Sequence, residues 1–284
     1  MKYILLLSLI AFNTSCSSQI TSTKFKVGND EQVVDIYSSD DPKKVNKNIA
    51  FIILHGKKNG RHHSGNVSVA SELSSAGYTV YAPEMPYSDY SGTLNDSFKL
   101  IDNLVKKAAT GNKKVILVGH SMGSAIVFLY CAAYTCAPEV SGVVMGAPGH
   151  MLQLSHFIQE GTALAVQRAR KLVKQGKGKI KGDFPNVNQG EKYFITTTPD
   201  IYLSYFDPAI FPNPATHLDT IKVPVLWIDG INDSMAARMG YENIFNRLNK
   251  YTQYKQNKYL EVSGGHVDMM YSMSDPILTW VKQF

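Results

Sequence analysis

The stretch "VGHSMGSA", residues 118–125, follows directly on the apolar run Val115-Ile116-Leu117. A serine stands between two glycines at the end of what reads as a buried strand. Two readings compete. A glycine-rich turn into a helix asks nothing more of the chain. A nucleophile elbow forces Ser121 onto a strained turn so that its hydroxyl stands clear of a sheet. That second reading needs a base, an orienting acid and an oxyanion hole from elsewhere in the sequence.

The rest of the chain offers them after other apolar runs. "LWIDGINDSM" (226–235) closes one run with Asp229 and Asp233. "VSGGHVDM" (262–269) follows the last run and carries His266. Upstream, "LHGKKNG" (54–60) follows "IAFIIL" (49–54). The order serine, acid, histidine differs from that of chymotrypsin-like and subtilisin-like enzymes.

Between these runs the sequence alternates short apolar strands with helical patterns. Strands are expected at 33–37, 49–54, 78–83, 115–118, 141–145, 223–229 and 258–262. Helices are expected at 67–76, 91–109, 122–133, 236–249 and 275–281. Continuous apolar strands separated by helices indicate a largely parallel sheet covered on both faces. The alternation stops at Ala147. From about 148 to 216 no comparable strand is evident. That segment reads as a helical pattern at 151–174 interrupted by Gly161, a basic loop "GKGKIKG" (176–182), and a helix in "TTPDIYLSYFDP" (197–208) with Thr198 as N-cap and Pro199 in its first turn.

The motifs Gly119-His120-Ser121-Met122-Gly123, His55-Gly56, Gly230-x-x-Asp233 and Gly265-His266, in this order, resemble those of the α/β-hydrolases over residues 25–284. The resemblance implies an α/β fold with a mostly parallel central sheet, helices on both faces and a helical lid insertion. It implies Ser121 as nucleophile, His266 as base and Asp233 as the acid that orients the imidazole, with the amides of Met122 and Lys57 as oxyanion hole. Asp229 stays open as a second candidate acid, and Lys58 as the oxyanion donor if the loop shifts by one. His55 and His120 read as structural, and His62 and His63 as surface residues. Asp268 is too near His266 in sequence to orient its ring. "PEMPYSDYSG" (83–92) lacks the arginine that many relatives carry after this strand. That departure leaves the subfamily open.

By that resemblance the activity expected is hydrolysis of a carboxylic ester through an acyl-enzyme, carboxylesterase-like or lipase-like, on a small-molecule or lipid ester. It implies no cofactor and no metal. Acyl transfer or cofactor-free peroxidase chemistry on the same fold, or a binding protein without turnover, are the alternatives. Tyr202, Tyr205 and Phe206 are candidate substrate-binding residues that could equally pack the lid onto the core.

The ends and the charge add context. A positive start and the apolar stretch Ile4 to Phe12 resemble an export signal. "NTSCSS" (13–18) resembles a bacterial lipoprotein signal, with Cys16 as the lipid attachment site, although Asn13 departs from the usual leucine. The expected division is a signal at 1–15, a tether at 16–24, core at 25–147, lid at 148–216 and core at 217–284. An envelope lipoprotein is the expected location, with a periplasmic or secreted form as the alternative. Cys131 and Cys136 fall on or just past the helix after Ser121. They are expected as free thiols, pairing only if that helix ends before Cys136. The net charge of +6 is mild, and no nucleic-acid-binding signature accompanies it. The 284 residues suit one large domain or two small ones, with ordinary core content.

Overall fold

The computed structural model describes residues 18–27, 30–46, 48–58, 60–111, 113–134, 136–150, 152, 161–213 and 216–284. The apolar run at 4–12, Cys16 and most of the helical pattern at 151–160 lie outside them.

Strands β1 (Ser18–Val27), β2 (Asp30–Ser39), β3 (Ile49–Leu54), β4 (Thr79–Pro83), β5 (Lys114–His120) and β6 (Val140–Gly146) enter one sheet, as do β9 (Val225–Gly230) and β10 (Lys258–Val262). Its order is β1-β2-β4-β3-β5-β6-β9-β10. β1 pairs antiparallel with β2, and β2 with β4; every other pairing is parallel. The central strands are apolar on both faces because both faces are covered. In β3, Ala50, Ile52 and Leu54 join one core cluster, and Ile49, Phe51 and Ile53 the other. The first cluster packs under α2 (Leu94–Ala108) and α3 (Met122–Ala132). The second packs under α1 (Ser64–Ser75) and the C-terminal helix Ser274–Trp280.

Helix α2 starts where Thr93 and Asp96 cap each other's backbone amides, a capping box. α3 is buried from Met122 to Cys131 and apolar on every side, the pattern of a helix enclosed within a core.

β6 and β9 are neighbours in the sheet, so the residues between them form an insertion. It contains α4 (Thr162–Lys174), a two-stranded hairpin of β7 (Gly182–Asn188) and β8 (Glu191–Thr197), and α5 (Pro199–Phe206). The hairpin corrects the expectation of a helical, strand-free insertion. Pro185 and the polar residues around it hide a period-two pattern whose inner face is Phe184, Asn186, Tyr193 and Ile195. α5 has the expected start, with Thr198 accepting from the amide of Ile201 and Pro199 in the first turn.

Three further expectations are corrected. Residues 18–24, expected as tether, belong to the edge strand β1, which pairs along the whole of β2. The helix expected at 236–249 is two, α6 (Ser234–Met239) and α7 (Tyr241–Thr252), because Gly240 between them has a φ of 62°. Cys131 and Cys136 are joined in a disulfide. α3 ends at Ala132, and the chain turns back to bring the two Cα atoms within 4.3 Å.

Candidate active site

Ser121 stands between β5 and α3 with φ 52° and ψ −119°, a conformation a non-glycine residue adopts at a cost. The flanking glycines make that turn sterically feasible. A Cβ on Gly119 would lie 2.5 Å from the backbone of Gly123 and Ser124, and one on Gly123 would collide with the carbonyl of Leu54. The turn is tied down by the Ser121 amide, which donates to Gly146 at 2.9 Å. The Ser124 hydroxyl lies 2.7 Å from the carbonyls of both Gly119 and Gly146. α3 begins at Met122, so its first amides, which lack partners within their own helix, and its positive dipole end face the serine's side of the turn.

His266 lies between β10 and the 3₁₀ turn Asp268–Ser272. Its Nε2 is 2.9 Å from Ser121 Oγ and its Nδ1 is 2.8 Å from Asp233 Oδ2. A carboxylate only accepts, so Nδ1 carries the proton and Nε2 is free to accept from the serine hydroxyl. The histidine's backbone is held as well: its carbonyl accepts from His120 Nε2 at 2.7 Å. Burial pushes the buried His120 down to about 3, so that ring stays neutral beside His266.

Asp233 follows β9, past Gly230, and caps α6 by accepting from the Met235 amide at 2.8 Å. A Cβ on Gly230 would lie 2.5 Å from the carbonyl of Gly264. Only glycine lets the acid-bearing loop and the histidine-bearing loop approach this closely. Burial would raise the Asp233 carboxyl. Hydrogen bonding and charge from His266, with the amides of Met235 and Ala236, outweigh burial and hold it below its usual range. Asp229 sits elsewhere. It is fully buried inside β9 and accepts from Trp227 Nε1 at 3.1 Å. Burial lifts it to about 7, with the nearby Asp233 adding to the shift.

A family model for the alpha/beta hydrolase fold matches residues 49–190, half of the chain, from β3 through the elbow to the hairpin turn. The chain belongs to the α/β-hydrolase fold family. Among solved structures, Est1E from Butyrivibrio proteoclasticus is 17% identical with a TM-score of 0.60, the match covering 92% of this chain and 99% of that one. A Pyrococcus furiosus esterase is 14% identical at TM-score 0.60, covering 94% and 92%. A monoacylglycerol lipase of Paleococcus ferrophilus is 18% identical at TM-score 0.60, covering 92% and 98%. At these identities the likeness is one of fold. No curated protein matches the chain by sequence.

Within this α/β-hydrolase fold, Lys57 and Met122 line the same small cleft as Ser121 and His266. The cleft holds about 20 Å³ and is roofed by Val187, Asn188 and Gln189 of the hairpin. The loop bearing Lys57 is braced by His55. The His55 Nδ1–H donates to the Gly56 carbonyl at 2.8 Å, and its Nε2 accepts from the Met85 amide at 3.0 Å. His62 is exposed and contacts Asp35 at 2.8 Å. His63 caps α1.

The aromatic trio divides. Tyr202 and Tyr205 are fully buried. The Tyr202 hydroxyl donates to the Pro185 carbonyl, and the Tyr205 hydroxyl bonds Ser97 on α2. These contacts fasten the insertion to the core. Phe206 lines a cavity of about 410 Å³ with Leu152, Ala163 and Val166. Its ring also meets His150 edge-on at 5.1 Å, and His150 lines the serine's cleft.

Sequence reasoning missed the Lys57 amine and Asn186. Lys57 Nζ donates to Asn186 Oδ1 and to the Val187 carbonyl, both at 3.0 Å. Asn186 Nδ2 donates to the hydroxyls of Tyr90 and Tyr193. Burial, aided by the charge of Lys58, lowers Lys57 to about 7. The Gln189-Gly190 turn between alternating residues was the one signal that could have found the hairpin carrying Asn186.

Proposed function

We propose that this chain is a serine hydrolase that cleaves a carboxylic ester through an acyl-enzyme. One observation carries the reading: His266 bridges Ser121 and Asp233 at 2.9 and 2.8 Å, with the serine on a strained elbow. In this mechanism Ser121 Oγ attacks the ester carbonyl carbon as His266 Nε2 takes its proton. Asp233, held ionised, stabilises the imidazolium. The amides of Met122 and Lys57 bind the oxyanion, and one such donor is worth about 10²–10³ in kcat. Collapse breaks the bond to the alcohol, which leaves with the proton from His266. Water then enters by the same route, releases the acid and restores the serine.

The substrate proposed is a small or medium acyl ester, with the cavity beside Phe206 receiving the acyl group. Its volume of about 410 Å³ falls in the range of small-ligand pockets. The insertion at 148–216 acts as the lid, because its hairpin roofs the cleft. Export with a lipid on Cys16 fits the amino-terminal sequence. The Cys131–Cys136 disulfide supports an oxidising compartment.

The test is a p-nitrophenyl ester series from acetate to palmitate, run beside Ser121→Ala, with fluorophosphonate labelling. Turnover and labelling that vanish together in the variant support the reading. A tenth of the wild-type rate surviving in Ser121→Ala would overturn it. An added alcohol acceptor separates hydrolysis from acyl transfer.

A further inference from the structure

The insertion carries a surface the chemistry at Ser121 does not use. From Thr162 to Gly182 it holds seven cations and no acid: Arg168, Arg170, Lys171, Lys174, Lys177, Lys179 and Lys181. Two of them are neutralised, Arg170 by Asp207 and Lys179 by Asp200. The other five have no carboxylate within ion-pair distance among the described residues. Three of those five side chains are gathered at one place. Arg168, Lys177 and Lys181 line a groove of about 310 Å³ between α4 and the start of β7, together with Leu172, Ile180 and Phe184. Asp183 also borders it, but its carboxylate accepts from the Thr196 hydroxyl, and its carbonyl accepts from Arg168.

A solvated charge run explains the lysines but not what lies among them. Ile180, between Lys179 and Lys181, lines the groove and is 61% exposed. A large exposed apolar side chain among cations without carboxylate partners is what a surface needs to sit in a lipid headgroup layer, the cations meeting phosphates and the apolar group entering the acyl boundary.

We infer that this face of the insertion docks on an anionic lipid bilayer, with Arg168, Lys177 and Lys181 taking phosphate headgroups and Ile180 inserting beside them. Charge complementarity selects a bilayer over a neutral or basic partner. The placement also suits a lipid-borne substrate: β7 runs from the groove at Phe184 to the cleft roof at Val187, three residues or about 10 Å further on. The docking face does not depend on the ester-hydrolase reading, since vesicle binding is measured without turnover.

The full chain carrying Cys16→Ser, so that no lipid is attached, is sedimented with vesicles of phosphatidylcholine alone or equimolar with phosphatidylglycerol. It is expected to prefer the anionic vesicles and to lose that preference as salt is raised. Lys177→Glu with Lys181→Glu should weaken binding at least about tenfold, at roughly a factor of five per neutralised lysine. Lys106→Glu with Lys107→Glu on α2, an equal change in net charge, should retain most of it. Ile180→Ser should weaken binding to anionic vesicles while leaving its salt dependence intact. Rates on soluble p-nitrophenyl acetate should be unchanged in all three. Equal losses in the two double variants, or no preference between vesicles, would overturn the proposal. Saturable binding of monomeric octyl phosphate without vesicle binding would make the groove a small-ligand site and would also overturn it.

Discussion

Two surfaces meet at Ser121, and they are fastened by different forces. Beneath it, the elbow and the histidine loop are held by backbone steric fit, joined by hydrogen bonds from the Ser121 amide, the Ser124 hydroxyl and a His120 ring that stays neutral. Gly119, Gly123 and Gly230 each stand where one more carbon would strike backbone. Above it, the hairpin is held by polar side chains. Lys57 reaches Asn186 and Val187, Asn186 reaches two tyrosines, and Lys58 pairs with Glu191 at 3.0 Å. Backbone contacts of the first kind carry no charge and do not titrate. Contacts of the second kind depend on protonation and on single side chains. The floor should therefore fail abruptly when it is changed, and the roof by degrees.

The sharpest break is at Ser121, the proposed nucleophile. Ser121→Ala removes one oxygen and none of the steric frame. Turnover should fall by about 10⁴–10⁶, the loss seen for triad members in a well-studied serine protease. The melting temperature should stay near wild type, measured by calorimetry on the same preparation.

Next comes the choice of acid. Asp233→Asn forces a wrong hydrogen-bonding tautomer on His266 and should cost about 10⁴ in kcat near neutral pH. Asp229→Asn should leave most activity and change stability instead. Asp229 sits near 7 in the fold, above its unfolded value near 4. The folded state thus holds an extra proton between those values. Stability from this group is full below about pH 4 and is lost as pH rises through 7. The asparagine variant should show a flatter decline between pH 4 and 7 in denaturant titrations. Activity lost in Asp229→Asn but kept in Asp233→Asn would reverse the assignment.

The floor's steric character is tested at Gly123. Gly123→Ala sets a methyl group against the Leu54 carbonyl, in the strand that leads to the Lys57 loop. Overpacking of this kind costs about 1–3 kcal/mol. A displacement of about 1 Å at the reacting atoms lowers rate about 100-fold. Both losses are expected together, in melting temperature and in kcat. A fully active variant would mean that the elbow has slack the structure does not reveal.

The same contrast explains what was legible in the sequence. Ser121, Asp233 and His266 each follow an apolar run whose strand character is plain, and the structure brings all three together. The steric floor leaves glycines at fixed spacing, and glycines can be read. The hairpin has no such mark. Pro185 interrupts β7, its inward Asn186 is polar, and Phe194 faces outward, so alternation is masked. Residues 18–24 of β1 read as tether because an edge strand rich in Ser, Thr and Lys lacks the apolar signature of a central one. The disulfide was misjudged for a different reason. The helix end is legible to within one residue, expected at 133 and found at Ala132, but nothing in the sequence marks the turn that brings Cys136 back to 4.3 Å from Cys131, Cα to Cα.

The smallest expected effect lies in the roof, at Lys57→Met. The methionine keeps the backbone amide assigned to the oxyanion hole and removes only the amine. Asn186 Oδ1 keeps the Val187 amide as a donor, but the Val187 carbonyl loses the lysine. Two hydrogen bonds are lost, each worth about 0.5–1.5 kcal/mol, and the hairpin loosens without unfolding. Long acyl esters need the roof to move more than short ones do. The ratio of kcat/KM for p-nitrophenyl palmitate over acetate should therefore rise, by up to about tenfold. Stability supplies a second readout. Lys57 sits near 7 in the fold and above 10 when unfolded, so the folded state binds fewer protons between those values. Wild-type stability should gain from this group as pH climbs from 7 toward 10, and lose as pH falls back through 7. Lys57→Met should flatten that rise. An unchanged ester ratio together with an unchanged pH dependence would detach the lysine from the roof, and would leave Asn186 with its two tyrosines as what holds the hairpin down.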